Sequence, residues 1–245
     1  MAGKAVEMYA VINGREVSRD ALLAWEARRI PKAASKIGLP VPGGTLDERK
    51  LAFADAKLAL GAEEVKRRLA RDLRVSSVIS QATGRLSRGR RALCVAELHV
   101  TGGNAAEFLR WFNDDGRADY GWSMIAASPD HFLIRTDADG RQEVLETTGG
   151  SPSASRFLID STDLGSLVSP RRSAYPLEAA GVARTGSGVA IGGVRHQFRE
   201  EPGGFGALLC VEFPRVIAPS MVAGHRWHLA AEWANWVELA FADAG

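Results

Sequence analysis

The spacing of apolar residues changes along the chain, from a helical period in the front third to strand-like runs in the rest. Helix-start residues at Ser18 and Thr45, followed by apolar residues three or four positions apart, predict helices at 18–29, 45–60 and 62–73. A short strand at 6–12 precedes them and ends at an Asn13-Gly14 turn. The front third is therefore predicted to be mostly helical.

Apolar runs separated by turn signals predict strands from residue 92 onwards, with one short helix at 104–112. The last segment, Pro219 to Phe241, starts with two helix-start residues and contains one glycine and no further proline, which predicts one long helix. The predicted strands are 92–100, 123–135, 142–148, 155–162, 177–184, 189–200 and 205–214.

This order of elements is typical of an α+β helix-grip (START-like) fold. In such a fold a curved antiparallel sheet wraps the last helix, and a cavity lies between them. We assign residues 92–245 to this domain and residues 1–75 to a mostly helical N-terminal region. The polar, glycine-containing stretch 76–91 is predicted to be a linker.

Composition and charge narrow the classes of function. No run of eighteen apolar residues occurs, so we expect a soluble, cytoplasmic protein without a membrane partner. Residues 1–91 carry 19 Lys and Arg against 10 Asp and Glu, and the densest basic cluster is Arg85, Arg88, Arg90 and Arg91. The cluster has no interleaved aromatic residues, so we expect a solvated linker and no nucleic-acid partner.

The long C-terminal helix carries the strongest chemical signal. At 3.6 residues per turn, one stripe contains His225, His228, Glu232 and Trp236. Imidazoles and a carboxylate fill a dry core poorly, because each needs a polar partner there, but they can line a site. His228 and Glu232 are four residues apart and could share one divalent metal ion, although His225 could replace His228 as the ligand. Trp236 is the tryptophan that we expect to contact a ligand.

Strand residues could complete such a site. Alternation places His131 on the same strand face as Leu133 and Arg135, and Glu146 lies just before a predicted bend. A set of two histidines and two carboxylates suits Zn²⁺, with Fe²⁺ or Mn²⁺ as weaker candidates. The alternative for Glu146 is a cross-strand ion pair with Arg135 or Arg141. The alternative for His196 is a strand position without a role in the site.

Four motifs resemble the family of diacetylphloroglucinol hydrolases and phloretin hydrolases. They are Ser-Pro-Asp-His at 128–131, Val-Leu-Glu-Thr-Thr-Gly at 144–149, His-Gln-Phe-Arg-Glu-Glu-Pro-Gly-Gly at 196–204 and His-Leu-Ala-Ala-Glu at 228–232. The resemblance covers roughly residues 92–241. It implies a helix-grip catalytic domain in which His131, Glu146, His228 and Glu232 bind zinc.

The resemblance also implies a reaction, the hydrolysis of a carbon–carbon bond between a phenolic ring and an acyl group. Zinc could polarise the acyl carbonyl, and His196 or His225 could move the proton that the ring carbon needs in order to leave. The expected partner is a small aromatic ketone or polyketide, with Trp236 and Arg135 as substrate contacts.

Two other functions fit the same fold. A non-catalytic carrier or sensor of an apolar small molecule would use the cavity without metal, and a polyketide cyclase or aromatase would need no His-x-x-x-Glu pair. A homodimer is a candidate assembly, because an appended helical segment often packs on a partner.

Overall fold

A single nine-stranded antiparallel sheet organises the protein. The computed structural model describes residues 6–242, and its strands are hydrogen-bonded in the order β2-β1-β3-β9-β8-β7-β6-β5-β4. The strands are β1 Glu7–Ile12, β2 Arg15–Ser18, β3 Arg91–Thr101, β4 His131–Thr136, β5 Gln142–Glu146, β6 Ser155–Asp160, β7 Leu177–Arg184, β8 Ala190–Glu201 and β9 Gly204–Pro214. The helices are α1 Arg19–Ala27, α2 Ile30–Lys36, α3 Leu46–Arg68, α4 Ala70–Ser87, α5 Ala105–Asn113, α6 Tyr120–Ala126 and α7 Pro219–Phe241.

The predicted α+β architecture is confirmed, with a large antiparallel sheet and a long C-terminal helix that is compatible with a helix-grip arrangement. Leu229, Trp233 and Val237 of α7 are buried in the main core with residues of the sheet. Among the described helices, none combines the length and the apolar character needed to cross a bilayer.

Local signals account for the front elements. Asn13 and Gly14 both have positive φ, 54° and 72°, which is the geometry of the tight turn between β1 and β2. The Ser18 hydroxyl accepts a hydrogen bond from the amide of Ala21 at 3.3 Å, so it caps α1. Thr45 and Glu48 form a capping box at the start of α3. The two predicted helices 45–60 and 62–73 meet at Gly61, whose φ of 72° bends α3.

The division into a helical region and a separate sheet domain needs correction. β1 pairs with β3, so the front of the chain contributes two strands to the same sheet as the back. The predicted linker 76–91 is helical as far as Ser87 and forms the last two thirds of α4. The buried residues of this helix are Ser76, Gly84 and Ser87. Such small side chains let a helix lie close to a sheet. In sequence the same small polar residues are typical of a loop, which explains the error.

The predicted strand 123–135 is also wrong in its first half. Residues 120–126 form α6, and β4 begins only at His131, after the Ser128-Pro129 break. A short apolar run such as Met124-Ile125 suits a buried helix as well as a strand, and periodicity cannot separate the two.

A close approach between two glycines fixes α7 against the end of β5. The backbone of a short 3-10 turn, Thr148–Gly150, touches α7, and a Cβ on Gly224 would lie 2.3 Å from the carbonyl oxygen of Gly149. No side chain fits at this contact.

We therefore expect Gly224→Ala to lower the free energy of unfolding by about 1–3 kcal/mol through overpacking. The matched control is Gly121→Ala in α6, where nothing lies within 4 Å of the new Cβ and φ is not positive. Urea titrations of both variants check the prediction, and equal midpoints would contradict it.

Candidate metal centre

Four polar side chains from two distant parts of the chain converge beneath the sheet. His131 is the first residue of β4 and Glu146 the last residue of β5, and the two are paired directly across the antiparallel ladder. His228 and Glu232 lie one turn apart on α7 and face them. All four side chains are buried.

One atom of each residue points to a common centre. The atoms are the Nε2 atoms of the two histidines and the Oε2 atoms of the two glutamates, and one ligand atom from each residue lies within 4.8 Å of the others. The measured separations are 2.9 Å for His131–Glu232, 3.2 Å for His131–His228, 3.2 Å for His228–Glu232, 3.6 Å for His131–Glu146 and 3.8 Å for His228–Glu146. Metal–ligand bonds of about 2.0–2.2 Å in a tetrahedron place ligand atoms roughly 3.4 Å apart. Five of the six separations thus lie close to the spacing of ligand atoms around one small metal ion.

A backbone carbonyl orients the first imidazole. The Nδ1 atom of His131 lies 3.0 Å from the carbonyl oxygen of Met124, and because a carbonyl only accepts, Nδ1 carries the proton. In the neutral ring the lone pair is then on Nε2, which faces Nε2 of His228. The two nitrogen atoms are 3.2 Å apart, and contact at this distance requires a proton or a metal ion between them.

The charges of the group favour a cation. Burial raises the pKa of Glu146. Burial also opposes charge on His228, but Glu232, Glu146 and Asp130 outweigh it and raise the pKa of His228 to about 9. Burial would likewise raise the pKa of Glu232, yet the two imidazoles hold this pKa well below its usual range. Two buried carboxylates together match the charge of one divalent ion, so these four residues could hold a metal ion.

Sequence reasoning missed the residues around the four ligand candidates. Asp130 is fully buried, and its Oδ2 atom lies 4.0 Å from Nδ1 of His228. Arg29 donates two hydrogen bonds to this carboxylate, at 2.8 Å and 2.7 Å, and the hydroxyl of Thr147 donates a third. The only sequence signal was the position of Asp130 directly before His131.

A buried lysine ties α3 to the segment that carries the first histidine. Lys57 Nζ donates to the carbonyl oxygens of Ile125, Ser128 and His131 at 2.9, 3.0 and 2.7 Å. Burial lowers the pKa of Lys57 to about 7, although the charge of Asp130 opposes this effect. All three ammonium protons thus have acceptors on the chain around His131.

A cavity of about 580 Å³ opens onto three of the four ligand candidates. His131, Glu146 and Glu232 line it, while His228 lies behind them without lining it. The other predicted residues His196, His225 and Trp236 also line the cavity. The structure thus brings together seven of the eight residues predicted for the site.

The other two histidines of the cavity, His196 and His225, are buried, and their Nδ1 atoms have no hydrogen-bond partner among the described residues. The pKa of His196 falls to about 4, chiefly by burial, and the ring centroid lies 4.5 Å from that of Trp233. The pKa of His225 falls to about 3 through burial and the neighbouring charge of His228, on which its ring stacks at 5.0 Å. Both rings are therefore neutral at pH 7.

Arg135 is the exception among the predicted site residues. The ladder between β4 and β5 shifts between His131 and Leu133, as in a β-bulge, so alternation does not carry across it. Ile134 and Thr136 line the cavity, and Leu133 packs in the second core on the other face. Arg135 instead donates to Glu143 at 2.8 Å and does not line the cavity.

Comparisons with known proteins found no match to a family model, to a curated protein or to a solved structure. The geometry of the site and the chemistry of its residues therefore carry the functional argument.

We expect Glu232→Gln to reduce zinc affinity at least tenfold, about 1.4 kcal/mol, because the amide keeps the shape but loses the charge that holds a cation. The matched control is Glu178→Gln, which changes another carboxylate of the cavity wall, one that is paired with Arg195 at 2.7 Å. Zinc content under a competing chelator measures both variants. Equal retention of zinc in the two would refute the assignment of the ligands.

Removing Arg29 leaves Asp130 as an unpaired buried charge, and we expect Arg29→Met to lower the free energy of unfolding by about 3–5 kcal/mol. Arg67→Met is the control, because Arg67 pairs with Glu64 at a side-chain exposure of 72% and an exposed pair contributes only about 0–1 kcal/mol. Urea unfolding in the presence of chelator gives both values free of metal effects. The double variant with Asp130→Asn should lose less than the sum of the two single changes.

Proposed function

We propose that this protein is a zinc-dependent hydrolase of the helix-grip class that cleaves a carbon–carbon bond between an acyl group and a phenolic or polyketide-like ring. The observation that carries the proposal is the convergence of His131, Glu146, His228 and Glu232 at the wall of a ligand-sized cavity. The motif resemblance to diacetylphloroglucinol and phloretin hydrolases supports the same reaction.

The cavity suits an aromatic ketone. Its volume lies within the range of about 300–1,000 Å³ for small-molecule sites. Val144, Phe157, Ile159 and Phe213 contribute apolar wall, and Trp236 stacks beside His131 with ring centroids 5.6 Å apart.

Unpaired polar atoms in this wall could bind the oxygen atoms of a substrate. His196 Nδ1, His225 Nδ1 and Trp236 Nε1 are buried and have no hydrogen-bond partner among the described residues. Buried polar groups without a partner are rare, and a bound ligand is one way to satisfy them. Phenolic and ketone oxygens provide both the donors and the acceptors required.

The reaction is a hydrolysis in which atoms balance without a further reactant. The bond between ring carbon and acyl carbon breaks, the ring carbon takes a proton, and the acyl carbon takes hydroxide to become a carboxylic acid. The chemistry that zinc supplies when bound is polarisation of the ketone oxygen and a lower pKa for water. His131, Glu146, His228 and Glu232 would hold the ion next to the acyl carbonyl.

A residue of the chain must transfer the proton that the ring carbon takes up. Neutral His196 could accept a proton from a phenolic hydroxyl at Nδ1 and return it to the ring carbon, which must be protonated to leave. His225 packs between His228 and Phe213, at 5.0 Å from each ring centroid, so it is better placed to support the metal ligand. We therefore assign the proton transfer to His196 and a supporting role to His225.

The alternative is a carrier or metal-free cyclase that uses the same apolar cavity. It is favoured by the predominantly apolar wall and gives no role to the four converging ligand atoms. The two functions differ in a measurable way, because a carrier binds an aromatic ketone without consuming it.

Turnover of 2,4,6-trihydroxyphenyl ketones by the zinc-loaded protein tests the proposal directly. We expect release of the free phenol and the carboxylic acid, with one oxygen of the acid derived from labelled water. Glu232→Gln should abolish turnover and Glu178→Gln should retain it. Tight binding of these ketones with no turnover at any zinc occupancy would establish the carrier in place of the hydrolase.

His196→Asn should lower kcat by about 10²–10⁴-fold with zinc content unchanged, because only the proton transfer is removed. His99→Asn is the control, since His99 is a partly exposed histidine between Glu97 and Glu201, outside the cavity. Steady-state kinetics with parallel metal analysis measures both. Unchanged kcat in His196→Asn would overturn this assignment.

A further inference from the structure

Helix α4 exposes most of its larger apolar residues, in contrast to an ordinary surface helix. Its buried residues are Ser76, Gly84 and Ser87, which are small or polar. Of its larger apolar residues, Leu73 packs against the second core, but Val75, Val78, Ile79 and Leu86 are exposed, by 46%, 69%, 54% and 68%. A helix of a globular protein normally buries its apolar stripe. An exposed apolar stripe of this kind is typical of a surface that binds a partner molecule or a membrane.

The exposed apolar residues form one continuous stripe. Positions 75, 78, 79, 82 and 86 are spaced by three or four residues, and all five are exposed. Val and Ile are also weaker helix formers than the charged residues usual on a solvent face. Helix propensity therefore does not explain the stripe.

Arginines flank the stripe at both ends. Arg71, Arg74 and Arg85 are exposed on α4, and Arg88 and Arg90 follow directly after it. The one acidic residue of the helix, Asp72, is half-buried and accepts hydrogen bonds from Lys36 and from the amide of Ala154. The face thus presents apolar and positive groups with no exposed carboxylate of its own.

The same helix forms part of the cavity mouth. Ser76, Ile79, Ser80 and Thr83 line the cavity, so Ile79 belongs to both the lining and the exposed stripe. Whatever covers the outer face of α4 therefore contacts a residue that also lines the cavity.

We propose that α4 docks the protein peripherally on an anionic lipid surface, so that apolar ligands pass from the lipid into the cavity. An apolar stripe flanked by arginines is the pattern of helices that lie in the membrane interface. A second copy of the chain fits less well, because a two-fold pair of these faces would bring arginine against arginine. The expectation of no membrane partner rested on the absence of a spanning segment, and peripheral docking needs none.

Vesicle sedimentation of the full chain tests the docking, without any dependence on zinc or hydrolysis. We expect binding to vesicles of phosphatidylglycerol and phosphatidylcholine to be at least tenfold stronger than to phosphatidylcholine alone, and to weaken with salt. Val78→Ser/Leu86→Ser and, separately, Arg74→Gln/Arg85→Gln should each reduce binding about fivefold or more.

Two double variants control for general loss of surface groups. Leu51→Ser/Leu58→Ser removes two leucines of α3 that are 49% and 52% exposed, and Arg67→Gln/Arg171→Gln removes two arginines with side-chain exposures of 72% and 65%. Both should bind vesicles as the unchanged protein does.

Absence of binding to anionic vesicles, or equal loss in the control variants, would overturn the proposal. Sedimentation velocity without lipid distinguishes a second copy of the chain from a lipid surface as the partner of α4. A dimer that dissociates on Val78→Ser/Leu86→Ser would show that a second copy covers this face instead, and binding of vesicles by a monomer supports the lipid surface.

Discussion

Two carboxylates and two imidazoles share a buried space, and their mutual charge governs the arrangement around them. Glu146 and Glu232 would repel each other strongly in a medium of low dielectric constant if nothing positive lay between them. The Nε2 and Oε2 atoms of the four residues converge on a common centre, where a metal ion could offset this repulsion. Strand ends, helix and supporting hydrogen bonds are all placed to keep these four atoms in position.

The front of the chain is part of this support. Arg29 lies between α1 and α2 and Lys57 lies in the middle of α3, yet they contact Asp130 and the carbonyl oxygen of His131. On α7 itself, one turn after Glu232, Asn235 donates to Glu26 at 2.9 Å and to the carbonyl oxygen of Ala127 at 2.7 Å. Residues before position 76 therefore fix both the strand and the helix that carry the ligand candidates, which gives that region a role that sequence analysis could not assign.

Sequence patterns correctly predicted the elements that depend mainly on residues close together in the chain. The bounds of α7 follow from its helix-start residues and the absence of a further proline, and the spacing of His228 and Glu232 follows from helical periodicity. The seven strands of the back part were located within a few residues, apart from the start of β4. Arg135 was misplaced because a bulge after His131 changes the face of the following residues, and a bulge has no signature in alternation. Asp130, Arg29 and Lys57 were missed because their partners lie far away in sequence, and only the tertiary fold brings them together.

The prediction of α4 failed for a different reason. Pattern analysis assumes that apolar residues point inward, and in 76–87 the inward residues are serine, threonine and glycine. Departures from such rules concentrate at functional places, where local preference is given up for another purpose. Here the small inward residues leave room for the cavity.

The order of the strands in the sheet also determines when the site can exist. β3 pairs with β9 along its whole length, from Arg91 opposite Pro214 to Thr101 opposite Gly204, so the middle of the sheet closes only after most of the chain has been synthesised. His228 and Glu232 follow later still, on the last helix. The four ligand candidates therefore cannot come together before the last helix has been synthesised. A chain truncated before α7 would contain all nine strands and half of the ligand candidates, but it would have no centre for a metal ion.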